Sequence, residues 1–243
     1  MERVLEISGL RKSYGDLAAV DGLDLRLERG EIFGLLGHNG AGKTTTVECA
    51  LGVTRRDGGT VRILGMDPER DRKRLFARVG VQFQDTRFQD KLRFGEACEC
   101  ASVLYPRERV LDWRRLLGEF GLGSKERTEV NELSGGERQK LSVVLALIPD
   151  PELLFLDELT TGMDPAARRA MWTYLKTLAG RGVSIFLTSH YMDEVEYLCD
   201  RIVLLKAGRV AASGTPRELI EKHGDKNLED VFLRYMHKEE QSA

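Results

Sequence analysis

The run Gly37-His38-Asn39-Gly40-Ala41-Gly42-Lys43-Thr44-Thr45 follows the pattern G-x-x-x-x-G-K-[ST]. Its glycines let the backbone wrap closely around an anion, with successive N–H groups pointing inward. Lys43 brings a full positive charge to the β- and γ-phosphates, and the Thr44 hydroxyl is a hard oxygen suited to Mg²⁺. With glycine near 7% of residues, chance gives such a match in roughly one chain of this length per hundred. The pattern predicts a nucleoside triphosphate in this loop, with Gly37 to Thr45 as its cradle.

Three further places put strongly polar side chains directly after apolar stretches: Gln84, Asp157-Glu158 and His190. A carboxylate after a buried strand, here Asp157, can hold Mg²⁺ through its coordination shell. Glu158 beside it can orient or deprotonate an attacking water. Gln84 offers both a donor and an acceptor, which suits a metal ligand or a water contact. His190 can donate to a γ-phosphate or to the attacking water. Singly, each residue is an ordinary turn residue; together at one sheet edge they make a site.

The elements that position them are short and regular. Glu31 to Leu36 reads as a strand ahead of the loop, and Thr44 to Leu51 as a helix that Gly52 ends. Leu153 to Leu156 is fully apolar, the mark of a central parallel strand covered on both faces, and Val183 to Leu187 reads as another buried strand. Strand and helix alternate through the middle of the chain, so the core sheet is expected to be mainly parallel, with ligands beyond its carboxyl ends. Val4 to Ile7 and Ala18 to Leu27 predict a β-rich start, with Arg11 to Gly15 as the turn between them. Strands are expected at Thr60–Leu64 and Arg78–Phe83, and a short basic helix at Arg70–Phe76. Helices are expected at Glu96–Leu104 and Glu108–Phe120, broken at Pro106. Ser134 is a natural N-cap, with Glu137 completing a capping box on a helix to about Ile148. Asp164 caps a helix that Pro165 starts, and another runs from Tyr191 to Cys199. Two short strands at Arg201–Leu205 and Arg209–Ala212 follow, then helices from Pro216 and Leu228. Residues 238–243 are expected to fray.

Composition narrows the class. The chain has 243 residues, 42% of them hydrophobic and 31% charged, with a formal net charge of −2. That balance argues against a nucleic-acid-binding surface. No apolar stretch approaches the roughly 20 residues that cross a bilayer, so any membrane role is expected to come through a partner. Met1-Glu2-Arg3 opens no secretory signal. Cys49, Cys98, Cys100 and Cys199 form no zinc or CxxC pattern and read as buried or half-buried thiols suited to a reducing cytoplasm.

Leu133-Ser134-Gly135-Gly136-Glu137-Arg138-Gln139-Lys140 is a second and rarer motif. Together with Gly37 to Thr45, Leu153 to Glu158 and His190 in this order, it resembles the ATP-binding cassette of ABC transporters, over essentially residues 3 to 235. The resemblance implies an α/β phosphate-loop NTPase cassette. Its parts would be a mainly parallel core sheet, an N-terminal antiparallel β subdomain, and a helical subdomain at about 85–150 within one domain spanning 1–237. It makes Tyr14 a base-stacking platform, where residue chemistry alone favours a plain surface ring. It matches Gln84 to the Q-loop glutamine and Asp164 to the D-loop aspartate. Ser134, Gly135 and Gly136 become the signature that completes a second copy's ATP site, giving a head-to-tail dimer that ATP glues together and hydrolysis releases. A glycine-rich helix start without a lysine is half a phosphate site, which agrees.

The resemblance further implies ATP and Mg²⁺, a homodimer or paired cassette, and a polytopic permease at the cytoplasmic face of the membrane. The helical subdomain would receive that partner, with Phe83, Phe88, Leu92, Phe94 and Tyr105 as candidate lining. Two departures stand out. Leu159 occupies a position where proline is common, which is expected to loosen the turn after Glu158. His38 replaces a frequent proline, a variant shared with exporter-type cassettes. The ending Leu228-Glu229-Asp230-Val231-Phe232-Leu233 also resembles bacterial drug and lipid exporters. A translation ATPase with two cassettes in one chain needs two phosphate loops, and only one is present. A chromosome ATPase needs a long coiled coil, yet only about 90 residues separate Lys43 from Ser134. A plain phosphate-loop regulator leaves the signature unexplained.

Overall fold

The structure, a computed structural model, describes residues 2–83 and 88–237; Gln84 and the expected frayed tail at 238–243 lie outside the described residues. A long hairpin, β1 (Arg3–Tyr14) and β2 (Leu17–Glu28), opens the chain. β3 (Ile32–Leu36) then enters a second sheet, and α1 (Lys43–Ala50) leaves it. β4 (Gly58–Ile63) returns to the free edge of β1, completing an antiparallel sheet in the order β2-β1-β4. Next come α2 (Arg72–Phe76), β5 (Val79–Gln82), α3 (Phe94–Ser102), α4 (Trp113–Glu119) and α5 (Gly135–Leu147). The chain continues through β6 (Leu153–Asp157), α6 (Pro165–Gly180), β7 (Ser184–Ser189) and α7 (Met192–Leu198). It closes with β8 (Arg201–Lys206), β9 (Arg209–Gly214), α8 (Pro216–His223) and α9 (Leu228–His237).

The six-stranded sheet runs β5-β6-β7-β3-β8-β9, with parallel pairing as far as β8 and β9 antiparallel at the edge. Strand pleating sends alternate residues to opposite faces. Leu153 and Phe155 therefore join one apolar cluster with the antiparallel sheet and α1. Leu154 and Leu156 join another with α5, α6 and the α3–α4 region. Each such fully buried Leu or Phe contributes about 1.5–3 kcal/mol. This two-sided burial explains why β3 and β6 carry no polar residue until they end.

Register then does the positioning. Leu36 lies beside Ser189, Asp157 beside Thr188, and Gln82 beside Leu156. The carboxyl ends of four strands thus meet at one edge.

Several expectations change in detail. The second helix of the helical region starts only at Trp113, because Asp112 caps it and a 3₁₀ turn occupies Arg107–Arg109. Tyr14 ends a strand, and the turn is at Gly15-Asp16. Cys100 is exposed, while Cys49, Cys98 and Cys199 are buried; two residues apart, Cys98 and Cys100 fall on different helix faces. Leu159 is buried in the core, so it anchors the turn after Glu158. Phe94 is wholly buried.

Candidate active site

The loop after β3 needs its glycines for identifiable reasons. Gly42, the residue before α1, has φ +102°, and a Cβ there would lie 2.2 Å from the carbonyl oxygen of Ala19. A Cβ on Gly37 would meet the Leu205 carbonyl at 2.6 Å. The loop is therefore clamped between β2 and β8 at distances only glycine permits. Thr46 Oγ donates back to the Gly42 carbonyl at 2.8 Å and tightens the first turn of α1.

Lys43 is 6% exposed. Its ammonium donates to the carbonyls of Gly37 (2.9 Å) and His38 (3.3 Å), and the Glu158 carboxylate stands 3.9 Å away. Burial lowers its pKa, against the opposing pull of Glu158 and Asp157. A desolvated cation at a helix N-terminus, facing a groove, is poised for an anion. That groove has a volume of about 420 Å³ and is lined by Tyr14, Leu17, Asn39, Gly40, Lys43, Thr44 and Glu158, among others. The Tyr14 ring and Leu17 side chain are exposed at one end, as a flat partner for a base would be.

The acidic pair is set by β6 and β7. Asp157 is 2% exposed, and burial raises its pKa, opposed chiefly by its hydrogen bond from Thr188. The Thr188 hydroxyl donates to the Asp157 carboxylate, and the Glu158 amide donates to that hydroxyl and to the Thr188 carbonyl. Glu158 adopts φ +50°, a left-handed conformation costing a non-glycine residue about 1–2 kcal/mol. That backbone turns its side chain toward the groove, where Oε2 lies 3.5 Å from His190 Nδ1 and Oε1 faces Lys43. His190 is itself well exposed.

The structure thus brings together the loop, Lys43, Thr44, Asp157, Glu158, His190 and Tyr14. It does not bring Ser134, Gly135, Gly136 or Asp164 to that groove. Ser134 caps α5 through the expected capping box with Glu137. A Cβ on Gly135 or Gly136 would meet nothing within 4 Å. Asp164 caps α6 by accepting from the amides of Ala166 (3.0 Å) and Ala167 (2.9 Å). His38 and Asn39 stand exposed at the loop's tip, and Thr45 is half-buried.

Sequence reasoning missed two supports. Gln82, buried in β5, accepts from the Asp157 amide at 3.1 Å. Thr188 bridges Asp157 to Glu158. A polar residue inside an apolar strand was the available signal for both.

A family model described as ABC transporter matches residues 20–161. Nod factor export ATP-binding protein I of Paraburkholderia xenovorans is 40% identical, over 95% of this chain and 77% of the relative. The chain belongs to the ABC transporter family. It is an ATP-binding subunit of such a transporter, an ATPase whose substrate is ATP. A daunorubicin resistance ATP-binding protein from Streptomyces coeruleorubidus is 39% identical over 96% of this chain and 74% of that relative. An ATP-binding subunit of an ABC transporter superposes with a TM-score of 0.87 at 26% identity, covering 96% of this chain and 99% of its own. A dimeric cassette in a post-hydrolysis state with ADP and Pi shares the fold at TM-score 0.79 and 21% identity, over 87% of this chain and 98% of that one. Among the described residues no helix is long and apolar enough to cross a membrane.

Proposed function

We propose that two copies of this ABC cassette, or one copy and a paired cassette, close head to tail on ATP, and that hydrolysis reopens them to drive export through a polytopic membrane partner. One observation carries this reading. The signature residues Ser134 to Gly136 lie open, away from the groove of their own chain, while the buried ammonium of Lys43 faces that groove. A phosphate site split in this way is complete only with a second chain. Export is supported by the names of the relatives, which are export and drug-resistance ATP-binding proteins. We assign residues 1–237 to one ATPase domain.

In this reading Lys43 and the loop amides hold the triphosphate, and Tyr14 stacks on the base. Glu158 accepts the proton of the attacking water. His190, beside it, fixes the carboxylate and senses the γ-phosphate. The Thr44 hydroxyl and Asp157 carboxylate are oxygen donors of the kind Mg²⁺ takes. Among the described residues no group of three His, Cys, Asp or Glu could hold a metal by itself. Thr44 and Asp157 would hold the ion, which would supply neutralisation of the developing phosphate charge. Gln84 is assigned the remaining ligand and water contact.

The permease would sit in a groove lined by Val53, Phe76, Val81, Phe83 and Tyr105, with Val103 and Leu104 exposed nearby. That contact would hold the cassette at the cytoplasmic face of the membrane.

Glu158→Gln tests the reading. It should leave ATP binding intact, lower kcat by about 10²–10⁴-fold and accumulate an ATP-loaded dimer on a sizing column. A variant that remains monomeric with ATP and turns over at the native rate refutes both the base and the dimer.

A further inference from the structure

The carboxylate of Glu194, in the first turn of α7, is 3% exposed, lies outside the nucleotide groove and has no part in the chemistry above. Burying a charge is costly unless hydrogen bonds satisfy it, so the arrangement of its partners is informative. The indole Nε1–H of Trp172, on α6, donates to Oε1 at 2.9 Å. The Ser189 hydroxyl, at the end of β7, donates to Oε2. The buried hydroxyl of Thr160, two residues past Glu158, lies near the same carboxylate without forming an aligned hydrogen bond. Ser189 Oγ in turn accepts from the Tyr191 amide at 3.0 Å. Residues on both sides of His190 are therefore pinned to one buried acceptor.

We infer that Glu194 is a positioning residue for hydrolysis: its carboxylate ties α6 to the end of β7 and so holds His190 against Glu158. The inference rests on the reading of His190 and Glu158 as catalytic groups. A carboxylate suits this place, because Trp172 and Ser189 both donate to it and one acceptor oxygen faces each, which offsets the burial that raises its pKa. A glutamine there must set an NH₂ against a donor, or leave Ser189 to reorient. Ser189 reorienting frees the Tyr191 amide and lets the His190 loop drift. Misplacing a catalytic group by a fraction of an ångström costs turnover and not ground-state binding, since the phosphate loop lies on other elements.

The experiment uses the full chain carrying E194Q, with S189A cutting the same tie from its other end and H190A as the reference. Turnover, KM for ATP and the ring ¹H–¹³C signals of the histidines are followed. The chain has four histidines, so His38 and His223 serve as internal controls of folding. Expected for both E194Q and S189A is a kcat lower by about 10- to 100-fold with KM within about twofold. The His190 signal should move or broaden while those of His38 and His223 stay. The double variant E194Q/S189A should lose no more than the worse single one, because both cut one chain of bonds. Full turnover in E194Q and S189A with loss in H190A overturns the inference alone, as does a loss of turnover with an unmoved His190 signal. Full turnover in H190A overturns the catalytic reading beneath it.

Discussion

Thr188→Val isolates the contact that ties the acidic pair to β7. Valine keeps the shape and β-propensity of threonine, so the change removes one hydroxyl from a site 1% exposed. Two hydrogen bonds disappear, but not with equal effect. The Glu158 amide keeps the Thr188 carbonyl at 3.1 Å, so its loss is small. The Asp157 carboxylate, 2% exposed, loses a charge-assisted donor, worth about 1.5–3 kcal/mol. We therefore expect a destabilisation of about 2 kcal/mol, or a fall of about 4–8 °C in Tm for a chain of this size.

The pH dependence has a definite sign. Burial already holds the Asp157 pKa above its ordinary value, and without the Thr188 donor it rises further. A carboxyl with a raised folded-state pKa binds more protons folded than unfolded, so stability falls as pH climbs through that window. The gap between T188V and the native chain should be widest at neutral pH and should narrow as pH falls toward the ordinary Asp range. Urea unfolding in metal-free buffer at several pH values measures it. A gap below about 0.5 kcal/mol at neutral pH, the level of an ordinary surface change, or one that does not depend on pH, would falsify the argument that a charged Asp157 relies on Thr188.

Other consequences are as direct. Lys43→Ala should weaken ATP binding by about 10- to 150-fold, the equivalent of one charge-assisted phosphate contact, as read by nucleotide titration. Gly42→Ala should lower stability by about 2–4 kcal/mol, since its Cβ meets a carbonyl and its φ is positive. Gly135→Ala should leave Tm within about 1 °C, because its Cβ meets nothing, yet impair ATP-driven dimerisation; calorimetry and light scattering separate the two. Glu152, held by Arg78, Arg29 and Arg109, has its pKa lowered to about 2, chiefly by the hydrogen bond from Arg78. Its contribution is full above the ordinary Glu value of 4.5 and is lost as pH falls toward about 2. Glu152→Gln should thus cost about 1–2 kcal/mol at pH 7, after allowance for solvent screening, with the difference vanishing in acid.

Much of this was legible in one dimension because the physics involved is local. Phosphate binding needs glycines, a lysine and a helix start within nine consecutive residues, so Gly37 to Thr45 carried its own meaning. Strands buried on both faces are mostly apolar, which marked Leu153–Leu156 and placed Asp157 and Glu158 at an end. Capping chemistry at Ser134 and Asp164 spans three or four residues and was equally plain. What folding decided is everything that depends on register between distant segments. Only the β6–β7 alignment sets Thr188 beside Asp157, and only the β5–β6 alignment lets Gln82 hold the Asp157 amide. The burial of Lys43, the left-handed turn at Glu158 and the node at Glu194 draw on side chains as far apart in sequence as Trp172 and Glu194, Glu158 and Thr188, or Lys43 and Glu158. Such contacts leave no periodic trace: a polar residue inside an apolar strand can signal that a partner is needed, but not which residue across the sheet supplies it. The open face of the signature goes one step further: its glycines fit a space that no part of the described chain fills.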